Sequence, residues 1–225
     1  MGPIGRTETA TTPAAFRLGV GCLALLLAVT GCFPHRAGPR LAHFEHLAPA
    51  PGGIAPDFTL PSVDGEAVTL SALTARRPVV LLLGSESCPV FRHRRHWLGP
   101  LVRDYGDRVD FLAVYTIEAH PVGAPSPYTE DEWDLWINRL SGVRPAQPAR
   151  LAERADQARS AQARLSLPMP LLVDRMDDAV WRAYGAASSP AFVIDRGGRV
   201  VARQPWNDPA RLRAVLRELV AAPAR

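Results

Sequence analysis

RPVVLLLGSESCPVF, residues 77–91, decides how the chain is read. Val79 to Leu83 is a short apolar run bounded by Pro78 and Gly84, the pattern of a strand buried on both faces in a parallel sheet covered by helices. Gly-Ser-Glu-Ser follows, then Cys88-Pro89 and a segment able to form a helix. Cys88 is therefore expected where a core strand hands over to a helix. Free N–H groups and the helix dipole at that point favour the thiolate over the thiol. Pro89 fits the first helical turn, where a missing N–H costs nothing, and Arg92, Arg94 and Arg95 add positive charge nearby. The alternatives are a reactive thiol and a buried structural cysteine; the setting favours the reactive one.

The chain has 225 residues, enough for one ordinary domain with ample core. It is 47% hydrophobic, which excludes a disordered chain, and all 26 basic residues are arginine. The net charge is a mild +4. With the arginines scattered and no stripe of aromatic and basic residues, no nucleic-acid site is read. Arg6 and Arg17 precede an apolar stretch, Leu18 to Val29, which is short for a permanent membrane helix. It ends in LAVTGC at Cys32, which resembles a bacterial lipoprotein signal in which residues 1–31 are removed and Cys32 is lipidated. An ordinary secretory signal and a plain anchor are the alternatives. All three readings put the domain in an exported compartment; the lipoprotein reading anchors it on the outer face of the cytoplasmic membrane or in the periplasm or outer membrane.

Cys22 would be lost with such a signal and Cys32 acylated, leaving Cys88 as the free thiol with no disulfide partner and no C-x-x-C pair, since Phe91 stands at the second position. A metal site built from several cysteines is thereby excluded. His93 and His96, three apart, read as a solvated basic face before a metal pair.

Residues 32–54, rich in Pro, Ala, Gly and His, read as a flexible tether, and residues 55–225 as the folded domain. Ala55 to Leu60 opens it, and Asp64-Gly65 turns a hairpin into Val68-Thr69-Leu70. Ser71 is placed as the cap of a short helical turn. After Cys88, apolar residues from Trp97 to Tyr105 recur at helical spacing, with Pro100 expected to kink or split the helix. Val109 to Ile117 is the next strand and leads to Glu118 and His120. A right-handed βαβ unit brings both strand ends to one sheet edge, so Cys88, Glu118 and His120 are expected together there. A helix is expected from Thr129 to Leu140, capped by Thr129, and another within Pro148 to Leu167. A strand at Pro170 to Val173 and a helix capped by Asp177 and ended by Gly185 follow. A hairpin about Asp195 to Gly198 and a last helix capped by Asp208 complete the chain.

This order of elements resembles a thioredoxin-like fold of peroxiredoxin type: α/β, a central mixed sheet flanked by helices. Ser189-Pro190 before the Ala191 strand resembles that fold's cis-proline position. Three stretches in order, GSESCPVF at 84–91, YTIEAHP at 115–121 and PLLVDRMDDAVWRAYG at 170–185 followed by FVIDRGGRVVARQPWN at 192–207, resemble the iodothyronine deiodinase family. Cys88 stands where many members carry selenocysteine. Val122 to Tyr128 departs from the family pattern by lengthening the loop after the histidine.

The resemblance implies a thiol oxidoreductase in which Cys88 attacks an activated aryl halogen or a peroxide oxygen. His120 would act as proton donor with Glu118 orienting it, and Ser85 or Ser87 would bond the thiolate or substrate. Phe91, Pro190 and Trp206 are the implied substrate-facing residues. No bound cofactor is expected; an external thiol or a thioredoxin-like reductant would restore the thiol, and a homodimer is left open. A peroxiredoxin-like peroxidase and a non-catalytic, membrane-tethered binding module remain the alternatives.

Overall fold

Val79–Gly84 forms strand β3, buried along its whole length, as its unbroken apolar run requires. The computed structural model describes Gly2 and residues 38–129 and 131–221. The expected signal segment, Cys22 and the lipidation site at Cys32 lie outside the described residues. No helix among the described residues is long and apolar enough to cross a membrane.

The described chain runs α1 (Gly38–Leu47), β1 (Thr59–Pro61), β2 (Ala67–Thr69), α2 (Leu70–Thr74), β3, α3 (Pro89–Tyr105) and β4 (Asp110–Tyr115). It continues with α4 (Trp136–Leu140), α5 (Leu151–Leu165), β5 (Leu171–Val173), α6 (Ala179–Ala183), β6 (Ala191–Ile194), β7 (Val200–Gln204) and α7 (Pro209–Ala221). A five-stranded sheet has the order β5-β4-β3-β6-β7. Strands β3, β4 and β5 are parallel, while β6 and β7 run antiparallel. β1 and β2 form the expected separate hairpin.

Alternation along β3 sends Val80 and Leu82 to one face and Val79, Leu81 and Leu83 to the other. The first face packs against Leu98 and Leu101 of α3, Ala158 and Ala161 of α5, and Leu212 and Leu216 of α7. The second packs against Phe44, Leu60, Leu70 and Tyr184. The mixed sheet with helices on both faces is the architecture expected.

Several boundaries differ from expectation. Helix α1 lies within the stretch read as a flexible tether, and Phe44 is fully buried, 5.9 Å from the Phe192 ring. Arg203 fastens the end of this helix by donating to the Ala48 carbonyl at 2.6 Å and pairing with Glu45. Gly185 makes room for it: at φ +89° it accepts no ordinary side chain, and a Cβ there would lie 2.7 Å from that of Ala48. Phe44→Ala should therefore cost about 3 kcal/mol through lost burial and a cavity. Urea unfolding checks this, and an unchanged midpoint would mark the segment as a tether after all.

Pro100 sits inside α3 without ending it, since the helix runs on to Tyr105, and Trp97 is 66% exposed instead of joining the apolar face. The caps also differ by a few residues. Asp57 accepts from the Ser71 N–H at 2.9 Å at the start of α2, where Ser71 was expected to cap. Asp174 accepts from Val180 and Trp181 at the start of α6, in place of Asp177. Asp208 caps α7 as expected, accepting from Ala210 and Arg211.

The helix expected from Thr129 shrinks to Trp136–Leu140. Local side-chain bonds compete successfully with helical ones before it: Ser126 Oγ donates to the Ala119 carbonyl and Thr129 Oγ1 to that of Asp131.

Candidate functional site

Parallel pairing sets Gly84 beside Tyr115, so β3 and β4 end together and deliver their following loops to one edge. Cys88 is the N-cap of α3, with extended backbone and Pro89 behind it in the first turn. It is the free cysteine among the described residues. Gly84 lets the chain turn tightly beneath the helix: a Cβ there would sit 2.3 Å from the Phe91 ring. Phe91 itself is buried in the same core cluster as Cys88, beneath the first turn of the helix.

The two serines join the loops. Ser85 Oγ accepts from the Ala119 N–H at 3.0 Å, and Ser87 Oγ accepts from the His120 N–H at 2.9 Å. Both hydroxyls clasp the loop after β4 and neither bonds the Cys88 sulfur, the contact expected of Ser85 or Ser87. The partner of the thiol comes from elsewhere: Cys88 Sγ donates to Ser188 Oγ at 3.8 Å. Nothing in the local pattern around Cys88 points to Ser188, a hundred positions away; its place two residues before Pro190 was the one available signal.

Glu118 is fully buried and does not orient His120. Its Oε2 accepts from the Ser87 N–H at 3.0 Å and its Oε1 from the Tyr115 hydroxyl, while its own N–H donates to Gln147. His120 is set by Trp133 instead, with Nδ1 3.1 Å from the Trp133 carbonyl and the two rings edge-on at 4.4 Å. A carbonyl only accepts, so Nδ1 carries the ring proton and Nε2 keeps its lone pair.

Pro190 is buried, and the peptide bond before it is trans: no cis bond occurs among the described residues. Its carbonyl accepts from Leu83. Trp206 is half-buried against the core, with its backbone bridged to Ser189.

Burial governs the electrostatics here. Cys88 is 1% exposed, and desolvation pushes its thiol above the ordinary value. The Phe91 and Val90 N–H groups, the Ser188 hydroxyl and the Arg92 charge all pull the other way without overcoming it. The expectation that the helix N-terminus would favour the thiolate is thus corrected, because the same packing that supplies the N–H groups removes water. Burial likewise raises Glu118 and lowers His120 to about 4. The resting site pairs a neutral thiol with a neutral imidazole.

A pH dependence of stability follows from His120. Its folded pKa lies below the unfolded one, so the unfolded chain binds the proton first. Stability is full above about pH 6.5 and falls toward pH 4, by roughly 3 kcal/mol if the group acts alone. Glu118 and Asp174, both raised by burial, act with the opposite sign. The His120 part is therefore read as the difference between wild type and His120→Gln in urea unfolding across that window. Equal slopes in the two proteins would contradict the buried neutral imidazole.

Residues 41–219 match the family model described as Iodothyronine deiodinase. The Thyroxine 5-deiodinase of Sparus aurata is 33% identical over 135 residues, covering 59% of this chain and 45% of that protein. The Thyroxine 5-deiodinase of Gallus gallus is 32% identical over 158 residues, covering 66% and 56%. The chain thus spans about half the length of these curated relatives. Among solved structures, an exposed lipoprotein thioredoxin from Streptococcus pneumoniae is 20% identical with a TM-score of 0.50, covering 73% of this chain and all of the other. The fold is thioredoxin-like.

Proposed function

This chain belongs to the iodothyronine deiodinase family, and from that premise we propose that its domain carries out thiol-dependent reductive dehalogenation with Cys88 as the nucleophile. The observation that carries the reading is the junction itself. The strand that ends at Gly84 and the helix that begins at Pro89 hold one thiol between them, and Ser87 ties that junction to the backbone of His120.

The chemistry follows from two neutral groups. His120 Nε2 takes the Cys88 proton as sulfur bonds to the halogen of an activated aryl iodide. The carbon–iodine bond breaks with its electron pair on carbon, and Nε2 returns the proton there. Arene and a Cys88 sulfenyl iodide result, the arene reduced and the sulfur oxidised by two electrons. An external thiol attacks the sulfenyl sulfur, releasing iodide and a proton and leaving a mixed disulfide; a second thiol frees Cys88. No second cysteine stands in the described domain to do this internally, which supports an external reductant. Lipid attachment at Cys32 and an exported location belong to the same proposal.

The test is iodide release from an iodinated phenol with dithiothreitol as reductant, beside peroxide consumption under the same conditions. Iodide release that requires Cys88 supports the reading. Rapid peroxide consumption without iodide release would replace it with the peroxidase alternative.

A further inference from the structure

Arg92, in the first turns of α3, is a buried cation bound to neutral atoms. Its Nη1 donates to the Glu86 carbonyl at 2.6 Å and its Nη2 to Asn138 Oδ1 at 2.7 Å. Asn138 is itself buried and donates through Nδ2 to the Ser87 carbonyl at 2.8 Å. The guanidinium is thus clamped to the two residues that precede Cys88, while its backbone N–H bonds the Cys88 carbonyl at 3.2 Å.

Among the described residues no carboxylate lies within ion-pair distance of Arg92. The surrounding charges are otherwise spoken for. The Glu86 carboxylate is bound by Arg164. Glu118 lies within the Tyr115 and Ser87 bonds, and burial favours its neutral form. Asp134 is paired with Arg139 and Arg144. Arg95 has the same sign and donates to the Arg92 carbonyl, and burial keeps His120 neutral. A desolvated guanidinium with only neutral acceptors is costly to keep, and what offsets such a charge is an anion. Two groups near it can become anions and are engaged by no cation, Glu118 and the Cys88 thiol; Glu118 is already held by the Ser87 N–H and the Tyr115 hydroxyl, whereas the thiol meets a single hydroxyl, that of Ser188.

We propose that Arg92, held by Asn138 and the Glu86 carbonyl, is a positioning residue whose charge stabilises the Cys88 thiolate when the thiol ionises. This rests on the reading of Cys88 as nucleophile and explains how a buried thiol reaches its reactive form. The sulfur–hydrogen bond breaks, the proton leaves to the base, and the charge on sulfur is met by the guanidinium. Asn138 sets the guanidinium in place from a helix too short to be noticed for its own sake.

The experiment is alkylation of the full chain, carrying Cys22→Ser and Cys32→Ser, by iodoacetamide across pH, with Cys88 labelling read by mass spectrometry. The midpoint reports ionisation, whereas accessibility scales the rate at every pH. Arg92→Met should raise the midpoint by about one pH unit and slow labelling roughly tenfold below it. Arg92→Lys, which keeps the charge, should recover most of that shift. Asn138→Asp sets a carboxylate against an intact guanidinium and should raise the midpoint as Arg92→Met does; it decides the matter if Arg92→Met does not fold. Midpoints unmoved in both Arg92→Met and Asn138→Asp, or a Lys variant no better than Met, would overturn the proposal. A Cys88→Ser protein that still released iodide would instead overturn the nucleophile reading, leaving the Arg92 shift readable.

Discussion

Cys88→Ser should lower iodide release by roughly three orders of magnitude or more, to the rate of the thiol reductant alone. Serine fits the space, and its hydroxyl can still bond Ser188, so the N-cap of α3 and its packing survive. What is lost is the sulfur: an alkoxide is not formed near neutral pH, and oxygen makes no serviceable bond to iodine. Thermal unfolding should therefore change little while turnover disappears. A variant that kept a tenth of the activity would move the chemistry away from the strand-to-helix junction altogether.

Asp178→Asn should cost about 3–5 kcal/mol, lowering the melting temperature on the order of 10 °C. Arg154 is 2% exposed, its Nη1 lies 2.8 Å from Asp178 Oδ1, and it also donates to the Asp174 and Arg175 carbonyls. It thereby locks α5 to the turn between β5 and α6. Removing the carboxylate leaves a buried guanidinium without its anion, while asparagine still tolerates the left-handed backbone at φ +55°. In urea unfolding, the Arg154→Met, Asp178→Asn pair should cost less than the sum of the two single changes, because each single change strands the other charge. Strict additivity would mean that the pair contributes no coupling.

Elements whose cause is local were legible in the residues. The apolar run of β3, the Asp64-Gly65 hairpin, the Asp208–Pro209 helix start and the Ala191 to Ala202 hairpin each carry their signal within a few positions. The shared sheet edge was legible too, because a βαβ unit leaves little choice of hand. Elements whose cause is distant were not. Helix α1 is held by Phe192, Gly185 and Arg203, all more than 130 positions away, and a single Phe44 in a Pro- and Ala-rich stretch gives no periodicity to read. The apolar spacing from Thr129 to Leu140 predicts a helix, yet serine and threonine hydroxyls bond the backbone around its start and shorten it to Trp136–Leu140.

At the site the residue types were legible and their partners were not. Cys88, His120, Glu118 and both serines meet at one edge, but spacing could not say that the serines clasp backbone. Nor could it say that Glu118 bonds Tyr115, or that Trp133 sets the imidazole. Least legible of all was the balance at the sulfur. A helix N-terminus is visible in sequence and desolvation is not, so the sign of the thiol's shift came out reversed.

At rest Cys88 is a sequestered, protonated thiol. Its alkylation in the otherwise wild-type chain, followed against pH beside free cysteine, measures that state directly. The expected result is slow labelling whose midpoint lies above that of free cysteine; rapid labelling with a midpoint at or below pH 7 would contradict it.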